Sequence, residues 1–220
     1  MAIICVSGLI ASGKDTIADY LVQQHGFQRG SFAATLKDAV ASIFGWPREM
    51  LEGRTSESRA WREVTDAWWA NRLQIPNLTP RWVLQNMGTD VLRKFFHDDI
   101  WIASLEYKLQ NTTSDIVISD CRFPNEITAL RKLGAIIIRV KRGEDPIWFT
   151  TAQQIHQSTA TMAELYPHIH VSEYGWANTS FDAILDNTGT LDSLYASVDH
   201  ILTSTGKIEK PTPSLDMQFL

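Results

Sequence analysis

The sequence predicts an α/β fold in which helices flank one parallel β-sheet and the ligand sits at the carboxyl ends of the strands. Three observations carry this. The apolar run over residues 2–7 has the composition of a strand buried on both faces. Directly after it comes the glycine-bearing stretch Gly8-Leu9-Ile10-Ala11-Ser12-Gly13-Lys14-Asp15-Thr16, and then a helical pattern. Strand-like and helical segments continue to alternate, with further buried-strand patterns over 116–120 and 135–140.

Taken in order, residues 15–24 place Ile17, Ala18, Leu21 and Val22 on one helical stripe. A second strand is expected over 27–33, then a helix through Lys37, Asp38, Val40, Ala41 and Phe44 that Gly45 and Pro47 terminate. Between 48 and 78 the pattern changes: Trp61, Val64, Trp68 and Trp69 recur at helical spacing with Arg59, Arg62 and Arg72 between them. Thr79 reads as an N-cap with Pro80 at the first helical position. The helix it opens carries an apolar stripe, Leu84, Met87 and Val91, and a polar one, Arg81, Gln85, Gly88 and Thr89, where a glycine would let a ligand approach the backbone. A strand over 116–120 ends in Asp120, a helix over 124–133 is closed by Gly134, and strands are expected over 135–140 and 181–185. The segment 142–178 has no strand pattern and reads as a lid. Residues 205–220 mix Gly, Pro, Ser, Thr and charge and read as a tail.

With 220 residues and 44% hydrophobic content, the chain can bury one substantial core, so a single domain is expected over 1–204. A formal charge of −5 argues against a nucleic-acid or anionic-membrane partner and for a small phosphate ligand. Cys5 and Cys121 lack zinc spacing and are expected to be reduced. There is no export-signal pattern at the N-terminus and no apolar run near the length of a membrane span, so the expected location is the cytoplasm. The six histidines show neither metal spacing nor a nucleophile partner, which removes hydrolytic triads from consideration.

The 8–16 stretch has the residues of a phosphate-binding P-loop. Glycines turn successive N–H groups onto phosphate oxygens, the following helix adds the positive end of its dipole, and Lys14 supplies a mobile charge. Asp15 stands where a metal-facing hydroxyl is usual, so Thr16 becomes the candidate Mg²⁺ ligand. Asp120, at a strand end, is the second candidate on the metal side. Lys37, Arg59, Arg81, Arg122 and Arg142 fall at element ends or helix faces from which they could serve a second, phosphorylated substrate, though single arginines of this kind are as often surface charges. Trp101 is a candidate for lining a base pocket, with helix packing as its alternative.

Ser7-Gly8 through Gly13-Lys14-Asp15-Thr16-Ile17-Ala18-Asp19, Leu36-Lys37-Asp38-Ala39, Leu84-Gln85-Asn86-Met87-Gly88-Thr89-Asp90, Asp120-Cys121-Arg122-Phe123-Pro124-Asn125-Glu126 and Leu133-Gly134-Ala135 together resemble the bacteriophage deoxynucleoside monophosphate kinases, over most of the chain to about Asn187. The resemblance implies a P-loop NTPase core with a helical monophosphate-side insertion at 46–80 and a lid at 142–178. It implies transfer of the ATP γ-phosphoryl group to a deoxynucleoside 5′-monophosphate (dNMP), with Mg²⁺. Ala11, Ser12, Gly13, Lys14, Asp15, Thr16 and Asn187 would then serve ATP. Lys37, Arg59, Arg81, Gln85, Thr89, Asp90, Trp101, Arg122 and Glu126 would serve the acceptor, and Arg142 the lid. Lys14, Asp120 and Arg122 would be catalytic, with Thr16 and Asp120 on the metal. A homodimer and, for a phage-encoded chain, the host cytoplasm also follow from the resemblance. The alternatives are another small-molecule P-loop kinase, of the phosphomevalonate or dephospho-coenzyme A type, or a non-catalytic nucleotide-binding module.

Overall fold

The computed structural model describes residues 1–206. Its strands β1 (Ile3–Ser7), β2 (Gln28–Gly30), β3 (Ile116–Ile118), β4 (Ile136–Lys141) and β5 (Ala183–Asp186) form one parallel sheet in the order β2-β3-β1-β4-β5. In chain order the helices are α1 (Lys14–His25), α2 (Ala34–Phe44), α3 (Ser56–Trp61), α4 (Ala67–Leu73), α5 (Pro80–Gln85), α6 (Ile100–Leu109), α7 (Pro124–Lys132), α8 (Ile147–Gln154), α9 (Thr159–Leu165), α10 (Val171–Tyr174) and α11 (Leu191–Ser204). Past Gln85, α5 continues in π-helical geometry over Asn86–Phe96.

The sheet is covered on both faces, which is why its central strands are apolar throughout. Side chains alternate along β1: Ile3 and Cys5 join Ile116, Ile118 and Ile137 under α2, α6 and α7, while Ile4 and Val6 join Val117, Ile136 and Ile138 under α1 and α11. The register Ile4↔Val117 and Ile4↔Ile136 puts like faces side by side.

Several elements differ from expectation for identifiable reasons. The second strand spans only Gln28–Gly30, because Phe27 turns into the core and residues 31–33 are captured by the Asp120 carboxylate. Helix α11 was not among the expected elements, although Thr190 caps it and Leu194, Val198, Ile201 and Leu202 form its buried stripe. The expected lid, 142–178, is built into the molecule: Phe149, Met162 and Trp176 are at most 1% exposed and share the core that holds Ile3 and Cys5. Of the expected tail, residues from 207 onward lie outside the described residues. No helix among the described residues is long and apolar enough to cross a membrane.

Candidate active site

The loop between β1 and α1 sits at the carboxyl end of the central strand. Gly13 has φ of 109°, and a Cβ there would lie 2.4 Å from Asn187 Nδ2, so only glycine lets Asn187 donate to the Ser12 carbonyl at 2.8 Å. That bond ties the loop after β5 to the phosphate loop. Ser12 Oγ is buried with no partner. Lys14 Nζ folds back on the Leu9 carbonyl at 2.7 Å and meets no carboxylate at ion-pair distance among the described residues. Burial pulls its pKa down from the usual lysine range to about 8; the Arg122 charge pushes the same way, against Asp15 and Glu173.

Asp15 faces away from this cradle. Its Oδ1 accepts from Arg29 Nη1 at 3.2 Å and from Ser119 Oγ at 3.1 Å, so it joins the first turn of α1 to β2 and to the end of β3. The hydroxyl of Thr16, one residue on, makes no hydrogen bond among the described residues. A half-buried hydroxyl at the start of α1 fits a hard cation; Asp15, already bridged, does not need to. Asp120 is heavily used: it accepts from Ser31 Oγ at 2.6 Å, Phe32 N at 3.2 Å and Ala33 N at 3.0 Å. Three of about four lone-pair sites are thereby filled. What remains fits a metal held through water better than a direct, full carboxylate bond.

Arg122 follows Asp120 into the cleft, and its Nη1 donates to Glu173 Oε1 of α10 at 2.8 Å. The His170 ring is close enough to feel Asp90, Glu173 and Arg122, and burial lowers its pKa. Lys14, Arg122, Glu173, His170 and Asp90 thus approach one another from the start of α1, the loop after β3, the N-terminal end of α10 and the π-helical segment. On the outer side of the phosphate loop a cavity of about 490 Å³ is lined by Leu9, Ser12, Arg139, Arg142, Trp148 and Glu173, among others. Arg142 is exposed at its rim. Arg139 is buried, paired with Asp145 and set over the Phe149 and Trp176 rings at 4.9 and 5.4 Å.

The residues expected on the acceptor side occupy a wall made by α2, the turn Met50–Glu52, α3 and α5. Lys37 Nζ donates to Glu52 Oε2 at 2.7 Å, and Arg48 Nη1 to Glu52 Oε1 at 2.5 Å, which holds the Glu52 carboxyl down at about 2 against its burial. Arg81 pairs with Glu63, and Arg59 Nη1 donates to the Arg54 carbonyl at 2.9 Å. Gln85 and Thr89 are half-buried on the same helix, with Asp90 exposed beyond them.

Three expectations are corrected here. Gly88 admits no ligand to the backbone, since a Cβ there would lie 2.7 Å from Leu36 Cδ2; the glycine exists so that α2 can approach. Trp101 is 7% exposed, its Nε1 donating to the Gly88 carbonyl at 2.8 Å, and belongs to the core in place of a base pocket. Glu126, 2% exposed, is the box residue of α7: its Oε2 accepts from Arg122 N at 2.6 Å and Phe123 N at 3.0 Å, and its Oε1 from Arg93. It holds the backbone of Arg122 rather than a nucleotide. Burial pushes its carboxyl up to about 7, opposed by Arg93 and the two amides. Arg93, Glu52, Glu173 and His170 were not singled out from sequence as site residues. Only the 142–178 segment's cluster of polar residues hinted at the last two.

A glycine loop feeding a helix on the central strand of a five-stranded parallel sheet, with cations gathered opposite it, defines a P-loop nucleotide-binding protein of the phosphotransferase type. The class narrows further by comparison. A sequence-family profile described as "Deoxynucleotide monophosphate kinase" matches residues 50–198, more than half of the chain, and the chain belongs to that family. It is 28% identical over 212 residues to a putative deoxynucleotide monophosphate kinase of Acanthamoeba polyphaga mimivirus, covering 90% of this chain and 94% of that protein. It is 25% identical over 225 residues to the deoxynucleoside-5′-monophosphate kinase of Escherichia phage T5, covering 78% and 89%. The deoxynucleotide monophosphate kinase of Enterobacteria phage T4 is 22% identical over 264 residues, covering 92% and 99%.

Proposed function

We propose that this protein transfers the γ-phosphoryl group of ATP to the 5′-phosphate of a deoxynucleoside monophosphate, releasing ADP and the deoxynucleoside diphosphate. The observation that carries the reading is the phosphate loop between β1 and α1, whose Lys14 is held, among the described residues, only by the Leu9 carbonyl, together with the Arg122 guanidinium held by Glu173 after β3. A cation freed from Glu173 would serve the phosphates of donor and acceptor, and the family match over 50–198 supports the same reading.

The backbone of Ala11, Ser12, Gly13 and Asp15 cradles the triphosphate, and Lys14 leaves the Leu9 carbonyl to take a phosphate oxygen. Asn187 keeps the loop in register. Thr16, with Asp120 behind it, is the residue set for Mg²⁺, which when bound offsets charge on the β- and γ-oxygens. Arg122 exchanges Glu173 for phosphate as the substrates arrive. Lys37, Arg59, Arg81, Gln85, Thr89 and Asp90 form the acceptor wall, and Arg142 closes on the phosphate loop from its rim. The attacking acceptor oxygen is already anionic, so alignment and charge neutralisation suffice and no general base is required. Coupled measurement of ADP release with each of the four common dNMPs tests the proposal. ADP release that any of them stimulates supports it; release that none of them alters refutes it.

A further inference from the structure

Arg62 caps the C-terminus of α3 and sits at the centre of the acceptor wall. Its backbone is fully engaged, the N–H donating to the Ser58 carbonyl at 3.2 Å and the carbonyl accepting from Arg81 N at 3.0 Å. Its guanidinium is not. The group is half-buried, forms no hydrogen bond or ion pair among the described residues, and has its Nε enclosed without a partner. It lies flat against Gly53, where φ is 67° and an added Cβ would sit 2.0 Å from Cζ and Nη2. A side chain at 53 would expel it. The charges that bear on it are Arg81, Glu63, Arg59 and Glu52. Both carboxylates are already committed, Glu52 to Lys37 and Arg48, and Glu63 to Arg81.

An arginine half withdrawn from water beside a second arginine, with its enclosed Nε unfilled, is costly to fold. Its planar fork matches a phosphate monoester, whose oxygens would fill those donors. The position is also right: Asp120 fixes residues 31–33, Lys37 follows one turn into α2 and pairs with Glu52, and Arg62 packs on Gly53, the next residue after Glu52.

We propose that Arg62 is the principal ligand of the acceptor's 5′-phosphate, with Arg81 the second cation of that subsite. The assignment rests on the kinase reading above and adds to it the residue that grips the acceptor's anion. It also implies that Arg62 is retained at the expense of stability.

The test compares wild type, Arg62→Gln and Arg62→Lys by calorimetric titration with a dNMP, the matching deoxynucleoside, inorganic phosphate and ADP, together with thermal melts. Arg62→Gln should weaken dNMP binding by about 10²-fold, abolish the phosphate isotherm recorded with the phosphate loop filled by ADP, and leave deoxynucleoside and ADP affinities unchanged. Arg62→Lys should lose about tenfold, keeping the charge but not the fork. The melting temperature of Arg62→Gln should hold or rise. The proposal is overturned if dNMP affinity is unchanged, if dNMP and deoxynucleoside weaken alike, or if the melting temperature falls while dNMP binding persists. Should the wild type bind no dNMP, the kinase reading fails separately, and inorganic phosphate still decides the site: its loss in Arg62→Gln keeps the anion site, and equal binding removes it.

Discussion

The two walls of the cleft are built by opposite means. The donor wall is one contiguous piece, the loop between β1 and α1, and its recognition elements are mostly backbone groups held by glycine geometry and by Asn187. The acceptor wall draws on α2, α3, α5 and the turn between α2 and α3, and its elements are side chains held by one another: Lys37 and Arg48 by Glu52, Arg81 by Glu63. A backbone cradle has one shape and suits the invariant triphosphate. A wall of ion pairs can exchange a carboxylate for a phosphate, and suits a substrate that must enter, react and leave. Glu173, paired with Arg122, would allow the same exchange at the junction of the two.

The sharpest test of this contrast removes the one side chain on which the donor wall depends. Lys14→Ala should lower kcat by on the order of 10³-fold while leaving the melting temperature unchanged, because Lys14 meets only the Leu9 carbonyl; steady-state rates within a few fold of wild type would remove Lys14 from the mechanism.

The next effect is on stability, at the hinge between the walls. Glu126→Ala strips the buried partner from Arg93, which is 5% exposed, leaving it, among the described residues, only the exposed Asp98, and frees the backbone of Arg122. Denaturant unfolding should show a loss of about 3 kcal/mol. Glu126→Gln, which keeps the two amide bonds, should lose less. An unchanged midpoint for Glu126→Ala would show that the pair does not organise Arg122.

A smaller effect separates the walls by pH. The Lys14 pKa of about 8 lies below its ordinary value, so the charged form is disfavoured before ligand binds. Phosphate must restore that charge, so ATP binding takes up a proton above about pH 8, and affinity should fall up to about tenfold per pH unit from there towards the ordinary lysine range. Lys14→Arg should flatten that dependence in ATP titrations across buffers of different ionisation heat. Acceptor affinity, which rests on arginines, should not follow it. The smallest effect is that of Arg81→Ala, which should raise the acceptor KM roughly tenfold with the ATP KM unmoved, since Glu63 already half-neutralises this exposed arginine.

The same contrast explains what the sequence discloses. Residues 2–24 carry their signals locally, an apolar run, a glycine loop with a lysine and one helical stripe, so strand, loop and helix were all legible even though their tertiary partners are remote. Thr79 and Pro80 announced α5 because capping is local. The buried role of Glu126 and the side-chain bridge of Asp15 were not legible because they depend on remote partners: Glu126 accepts from Arg93, 33 residues away, and Asp15 from Ser119, 104 away. Nothing in the composition of 46–81 distinguishes Arg62, whose guanidinium lacks a partner among the described residues, from Arg59 and Arg81, which have one. Helix α11 is different, since its cap and its stripe of Leu194, Val198, Ile201 and Leu202 are local and were there to be read.

The central claim is that donor and acceptor walls face one reaction, so the decisive measurement follows the transferred group itself. With γ-labelled ATP, Mg²⁺ and each dNMP in turn, the label should appear in a deoxynucleoside diphosphate with at least one acceptor, and this transfer should vanish in Lys14→Ala. Label appearing only as inorganic phosphate, at a rate indifferent to every dNMP, would contradict the account.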